Sequence, residues 1–257
     1  MGTFLAQRFE GKVAVVVGGA TGIGAAAARR LADEAARVVV ADVVGDAAQA
    51  MSDSIVEAGG LASPFTCDIT QSDQIAALFS FAEETYGGVD AVHVNAADLS
   101  LANRDTDAVT VPLEVFDRTI AVNLRGHLLA ARFAIPAMLK RNGGSIVFTG
   151  SRGGLTSDSV RVSYAISKAG LLALNRHIAL KWGKQGIRSN VVAPGAVLTD
   201  PVLQQGEAFI QDRLGSTSSP VLGTPDGIAA GVAYLLSDDS AFVNGQILSI
   251  DGGATMR

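Results

Sequence analysis

From residue 12 almost to its end, the chain alternates short apolar runs with longer stretches in which apolar residues recur at helical spacing. The runs Lys12–Val17, Arg37–Asp42, Leu61–Cys67, Val89–Asn95, Gly144–Gly150, Arg188–Ala193 and Gln246–Ile250 predict buried strands. Between them, Gly22–Glu34, Asp46–Ala58, Ser72–Tyr86, Leu113–Lys140, Val160–Lys184 and Asp226–Leu236 predict helices, with Gly186 as a stop after Lys181 and Lys184. Strands joined by crossover helices imply an α/β, doubly wound, seven-stranded parallel sheet with helices on both faces and ligands at the strands' carboxyl ends. No linker, repeat or low-complexity run divides residues 1–257, so a single domain is expected. Two stretches break the alternation. Asp98–Pro112 is polar and reads as a loop. Leu198–Thr224 carries Pro201, Gly206, Gly215, Pro220 and Gly223 around a weakly helical Gln204–Leu214. Because it follows a strand's carboxyl end, a substrate lid is expected there rather than an ordinary surface excursion.

Composition narrows this picture in a few places. At 257 residues, 48% of them hydrophobic, the chain can bury a substantial core. A net charge of −5 with no Lys/Arg cluster argues against nucleic acid as a partner. Cys67 is the only cysteine, so an internal disulfide and a cysteine-rich zinc site are both excluded. His93, His127 and His177 are scattered without metal-ligand spacing and read as structural, so no metal is expected. The segment Met1–Glu10 has no apolar core of signal-peptide length, and Ala6 stands where a myristoylation motif needs a hydroxyl. No uncharged run reaches membrane-span length. The expectation is a soluble cytoplasmic protein.

The first strand runs into Gly18–Gly19–Ala20–Thr21–Gly22–Ile23–Gly24 and then a helix. Glycines at 18, 22 and 24 permit a tight turn and close approach of a pyrophosphate, which the helix N-terminus would receive. Asp42 ends the second strand, where a carboxylate can accept hydrogen bonds from ribose hydroxyls and repel a 2′-phosphate. No Arg or Lys lies in the glycine loop or in the three residues after Asp42, which favours NAD over NADP. Further along, Tyr164 and Lys168 stand at i and i+4 and share one face of the predicted helix. The Lys168 ammonium can bias the Tyr164 hydroxyl toward phenolate, and so toward proton exchange with an alcohol oxygen. Ser151 lies upstream at the end of the fifth strand. Cys67 reads as a small packed residue rather than a nucleophile. Arg152 and Arg161 flank this stretch and read as solvated charges more readily than as anchors for an anionic substrate.

These residues resemble the short-chain dehydrogenase/reductase family in its single-domain, Rossmann-like branch, over Gly11 to Gly253. The family's T-G-x-x-x-G-x-G motif is similar to Val17–Gly18 through Gly22–Ile23–Gly24, and its N-N-A-G motif to Val94–Asn95–Ala96–Ala97. The resemblance sets Asp68–Ile69 against the adenine ring and makes Asn123, Ser151, Tyr164 and Lys168 the catalytic set. It also brings Pro194, Gly195, Val197 and Thr199 to the nicotinamide carboxamide. Asn244–Gly245–Gln246 and Asp251–Gly252–Gly253 match the family's C-terminal end. Val17, Val94 and Ala97 depart from the motifs, near the cofactor turn and at a strand usually braced by an amide.

The implied activity is NAD-dependent hydride transfer between nicotinamide and a secondary alcohol or ketone. Tyr164 would be the acid–base group, Ser151 the donor to the substrate oxygen, and Lys168 the holder of the nicotinamide ribose. Asn123 would hold a water linking Lys168 to solvent. An NADPH-dependent 3-oxoacyl reductase is the alternative within the family, and Asp42 opposes it. An enoyl reductase would place its lysine further from the tyrosine. A non-catalytic NAD-binding regulator is the alternative of another class. A moderately hydrophobic, uncharged small molecule is the expected substrate, with Leu155, Val160, Leu203 and Phe209 as candidate walls. The resemblance also implies a homotetramer or dimer packed through Leu113–Lys140 and Val160–Lys184.

Overall fold

Hydrophobic side chains of the strands divide between two cores. Val15, Val17, Val39, Ala41, Val92, Val94, Ile146 and Phe148 point to one, while Ala14, Val16, Val38, Val40, Ala91, Val147 and Val192 point to the other. This period-two division is what a sheet covered on both faces requires. The computed structural model describes residues 7–156 and 159–256; residues 1–6, on which part of the N-terminal reading falls, lie outside the described residues. Its strands are β1 (Val13–Val17), β2 (Arg37–Asp42), β3 (Leu61–Thr66), β4 (Ala91–Val94), β5 (Gly144–Thr149), β6 (Ile187–Pro194) and β7 (Ile247–Ile250). They form one seven-stranded parallel sheet in the order β3-β2-β1-β4-β5-β6-β7.

Helices α1 (Gly22–Asp33), α2 (Gly45–Glu57) and α9 (Pro225–Leu236) supply the second core. The run Ala25–Ala28 on α1 is buried, and its small side chains let α1 lie close to the sheet and to α9. Helices α3 (Ser72–Tyr86), α5 (His127–Leu139) and α6 (Val162–Trp182) cover the first core. Fully buried Leu31, Leu78 and Ile228 each contribute about 1.5–3 kcal/mol by leaving water. Among the described residues no helix is long and apolar enough to cross a membrane.

The expected helix Leu113–Lys140 is not uniform. It comprises α4 (Leu113–Ile120), a π-helical turn Ala121–Gly126, and α5. A π turn is rare, is usually a single-turn interruption of an α-helix, and is frequent at functional sites. Here Asn123 Oδ1 accepts the Asp98 amide at 3.0 Å. The lid stretch also differs from its expected shape: α7 (Asp200–Leu203) precedes α8 (Glu207–Gly215). Neither helix has a buried residue, so the pair lies on the body rather than within it.

Order reverses between β1 and β4, the switch point beyond whose carboxyl ends a doubly wound sheet binds its ligand. The register pairs Val17 with Ala41 and Val94, and Thr149 with Val192. Gly18, Asp42, Asn95, Ser151 and Gly195 are thereby set along one rim.

Candidate active site

The glycine loop is folded to admit something against its backbone. Gly18 and Gly19 donate to the Ala41 carbonyl at 2.8 and 3.0 Å. Gly18 has φ +77°, and a Cβ there would come within 2.6 Å of the Ala96 backbone. At Gly24 a Cβ would collide with the Gly18 carbonyl oxygen, so α1 can meet β1 this closely only with glycine. Thr21 is the N-cap of α1 but makes no side-chain capping bond, and the first turn has no acidic residue. The helix's positive end is left open to an anionic ligand, and these features fit a dinucleotide pyrophosphate. Changing Gly24 to alanine is expected to cost about 1–3 kcal/mol through overpacking and to weaken NADH binding; urea unfolding and NADH fluorescence titration measure both.

Asp42 braces the loop. Its carboxylate accepts from the Ala20 amide and from the Val44 amide, each at 3.1 Å. It is half-buried, and lone pairs remain on both oxygens. Asp68 lies beyond β3, with Oδ1 accepting from the Thr70 amide and hydroxyl. Ile69 is buried and packs against Gly126 of the π turn.

Thr149, which the sequence does not single out, links Asn95 and His93 across the sheet's central strands. Thr149 Oγ1 donates to Asn95 Oδ1 at 3.0 Å, while Asn95 Nδ2 donates to the Gly18 carbonyl at 3.0 Å. With its proton committed, the threonine hydroxyl must accept from His93 Nε2 at 2.8 Å, which fixes the Nε2–H tautomer. Burial pushes His93 down to about 3, so it stays neutral. These bonds tie β4 to β5 beside Val94. His127 is likewise buried and lowered to about 3, its Nε2 bonded to the Ala96 carbonyl at 2.8 Å. The only sequence signal for Thr149 was a polar residue closing an apolar strand.

On α6, Lys168 is buried and donates to the Thr149 carbonyl at 2.7 Å. Desolvation lowers its pKa to about 8. Its Nζ lies 5.7 Å from the centroid of the Tyr164 ring. Ser151 opens a 3₁₀ turn, Arg152–Gly154, with Oγ accepting the Gly153 amide at 3.1 Å. A methyl group on Gly153 would stand 3.5 Å from Ser151 Oγ and 3.7 Å from Tyr164 Cε1, so these two side chains border the same small space. Gly154 presses that turn onto the backbone of Lys168.

Asn123 is buried, and its Nδ2 has no protein partner, leaving a directed donor. Thr199 Cγ2 lies 3.5 Å from where a Cβ on Gly22 would be, so the segment after β6 reaches over the glycine loop. Val197 bridges Gly223, and Leu198 donates to the Gly223 carbonyl at 2.8 Å, closing the base of the segment 198–223. Leu155 packs on the first core, whereas Val160 and Leu203 are both half-exposed. Arg161 is not the solvated charge expected from the sequence. Its Nε is buried, and its guanidinium carbon lies 4.6 Å from the Tyr164 ring centroid, within cation–π range. Cys67 is buried and its thiol is pushed up to about 12, mainly by desolvation. Among the described residues no cluster of His, Cys, Asp and Glu could hold a metal ion.

Residues 18–255 match a family model described as enoyl-(acyl carrier protein) reductase. A probable short-chain type dehydrogenase/reductase of Bradyrhizobium diazoefficiens is 46% identical, over 96% of this chain and 88% of that protein. The 7alpha-hydroxysteroid dehydrogenase of Bacteroides fragilis is 35% identical, over 98% of this chain and 97% of its own. A solved 7 alpha-hydroxysteroid dehydrogenase in complex with NADH and 7-oxo glycochenodeoxycholic acid superposes with a TM-score of 0.91 at 33% identity, covering 100% of this chain and 99% of that one.

Proposed function

The chain belongs to the short-chain dehydrogenase/reductase family, and from that premise we propose that it oxidises a secondary alcohol, or reduces the matching ketone, with NAD(H). The observation that carries this reading is the meeting of Ser151, Tyr164 and Lys168 at the rim that also holds the glycine loop and Asp42. The NADH held by the structurally similar steroid dehydrogenase supports the choice of cofactor.

When bound, the nicotinamide accepts or donates the hydride. Gly18, Thr21, Gly22, Ile23 and Gly24 would hold its pyrophosphate, and Asp42 the adenosine ribose, with Asp68, Ile69, Asn95 and Ala96 flanking the adenosine half. Pro194, Gly195, Val197 and Thr199 would meet the carboxamide. In oxidation Tyr164 takes the hydroxyl proton of the substrate; in reduction it returns one. Ser151 donates a hydrogen bond to the substrate oxygen and steadies its developing charge. Lys168 supplies positive charge beside the phenol and binds the nicotinamide ribose. The free Nδ2 of Asn123 holds the water through which the proton reaches solvent.

Although the matching family model is described as an enoyl reductase, the i, i+4 placement of Tyr164 and Lys168 favours alcohol–ketone chemistry. Asp42 likewise disfavours an NADPH-dependent 3-oxoacyl reductase. Exposed Leu113, Leu128, Ile166 and Leu180 along α4, α5 and α6 support assembly as a homotetramer or dimer, which sedimentation would test. A cytoplasmic setting belongs to the same proposal, and the single unpaired Cys67 supports it.

The reading is tested by following nicotinamide absorbance with NAD and a panel of sugars, steroids, terpenols and short diols. Turnover of at least one secondary alcohol is the expected result; NADH binding without any turnover would favour a regulator. In the same assay, Asp42→Ala should lower kcat/KM for NAD by roughly tenfold or more, in line with loss of hydrogen bonds to a charged group, and narrow the preference over NADP.

A further inference from the structure

Helix α6, which carries both Tyr164 and Lys168, begins without any of the residues that ordinarily start a helix. Its N-cap is Arg161, with no side-chain capping bond, and its first turn contains no acidic residue. Helix starts leave backbone N–H groups without intrahelical acceptors, and those of α6 are satisfied from elsewhere. The Arg161 amide donates to the Asp105 carbonyl at 2.9 Å, and the Val162 amide to the Thr106 carbonyl at 3.1 Å. The Ser163 amide donates to Asp105 Oδ1 at 3.0 Å, and the Tyr164 amide to Asp105 Oδ2 at 2.9 Å. The first intrahelical bond follows at once, from the Ala165 amide to the Arg161 carbonyl at 3.0 Å.

Asp105 comes from the Asp98–Pro112 loop and is 5% exposed. A carboxylate buried at the positive end of a helix, with each oxygen accepting an N–H, makes strong charge-assisted bonds. Arg161 sits at φ +66°, a left-handed conformation that costs a non-glycine residue about 1–3 kcal/mol and persists only where its surroundings enforce it. The bonds from its amide to the Asp105 backbone carbonyl and from the Val162 amide to the Thr106 carbonyl flank this conformation, and its guanidinium lies over the Tyr164 ring.

We propose that Asp105 is a positioning residue of the active site: through the amides of Ser163 and Tyr164 it sets the first turn of α6, and with it the place of the phenol relative to Ser151. The inference rests on the dehydrogenase reading for its catalytic consequence, though not for its structural one. Each Asp105 carboxylate oxygen is engaged by an amide of α6, so its proposed action is through Tyr164.

The test compares Asp105→Ala and Asp105→Asn with the wild-type protein in three measurements: kcat, the Kd for NADH, and hydrogen–deuterium exchange of peptides spanning residues 161–168 and 13–33. A misplacement of about 1 Å in a reacting group can cost about 10²-fold, so the alanine variant should lose roughly 10–100-fold in kcat. Asparagine keeps one acceptor oxygen and should recover part of that loss. NADH affinity should be unchanged in both variants. Exchange should quicken in 161–168 for alanine, less for asparagine, and stay unchanged in 13–33. An alanine variant with wild-type kcat or wild-type exchange in 161–168 would overturn the proposal. So would parallel losses of kcat, NADH affinity and protection in both peptides, which would mark Asp105 as a general stabiliser. If alanine prevents folding, the asparagine variant decides alone by the same criteria. A wild-type protein inactive on every alcohol would instead defeat the dehydrogenase reading, leaving exchange to judge Asp105.

Discussion

Replacing Tyr164 by phenylalanine is expected to lower kcat by about 10²–10⁴-fold while leaving the Kd for NADH close to the wild-type value. The change deletes a single oxygen. The ring remains between Arg161 and Lys168, so packing and the cofactor cradle are preserved. What is lost is the group proposed to exchange a proton with the substrate oxygen, and Ser151 cannot replace it because an aliphatic hydroxyl gives up its proton far less readily than a phenol beside an ammonium. Retained turnover in Tyr164→Phe would assign the proton to another group and remove the basis of the mechanism.

Replacing Lys168 by methionine should have the second-largest effect, and a double one. Turnover should fall by at least about 10²-fold and NADH should bind more weakly, because the ammonium is proposed to serve both the phenol and the nicotinamide ribose. The ligand-free fold, however, should become more stable by about 1–2 kcal/mol near neutral pH, since a buried ammonium with one carbonyl acceptor gives way to an apolar chain of similar length. The sign of the pH dependence follows from the lowered pKa. Burial holds Lys168 at about 8 in the folded protein, against 10.5 for the ordinary group. Below pH about 8 both states are protonated and the full penalty for the buried charge applies. Between about 8 and 10.5 the unfolded chain binds more protons than the folded one, so stability rises with pH. The advantage of Lys168→Met in urea unfolding should therefore shrink across that interval.

Much of this architecture is legible in the amino-acid sequence. The strand Arg37–Asp42 and the helix Ser72–Tyr86 have the expected bounds, because an apolar run and a helical period each end at an unambiguous residue. The outer strand ends were less legible: Val89–Asn95 narrows to Ala91–Val94, where pairing to both neighbours ceases. The π turn was hidden because one extra residue per turn hardly disturbs an apolar pattern already continuous from Leu113 to Leu139. The turn carries a contact the local pattern does not reveal, from the distant Asp98 amide to Asn123 Oδ1.

The candidate site divides in the same way. The roles proposed for Gly18, Gly24, Asp42, Ser151, Tyr164 and Lys168 lie in their own side chains, or in lacking one, and their spacing can be read from the sequence. Thr149 holds Lys168 by a backbone carbonyl, and Asp105 holds Tyr164 by a backbone amide, so neither leaves a pattern in side-chain chemistry. The one available hint was negative: a helix beginning Arg161–Val162 with no capping residue of its own must find its acceptors elsewhere.

The most direct test of the central claim uses a secondary alcohol deuterated at its carbinol carbon, chosen from the substrates the activity screen yields. After incubation with NAD and the wild-type protein, the nicotinamide product is weighed by mass spectrometry. Direct transfer predicts that the reduced cofactor carries the deuterium and that ketone forms in equal amount. Reduced cofactor without the label, or no reduction by any secondary alcohol despite tight NADH binding, would contradict the account.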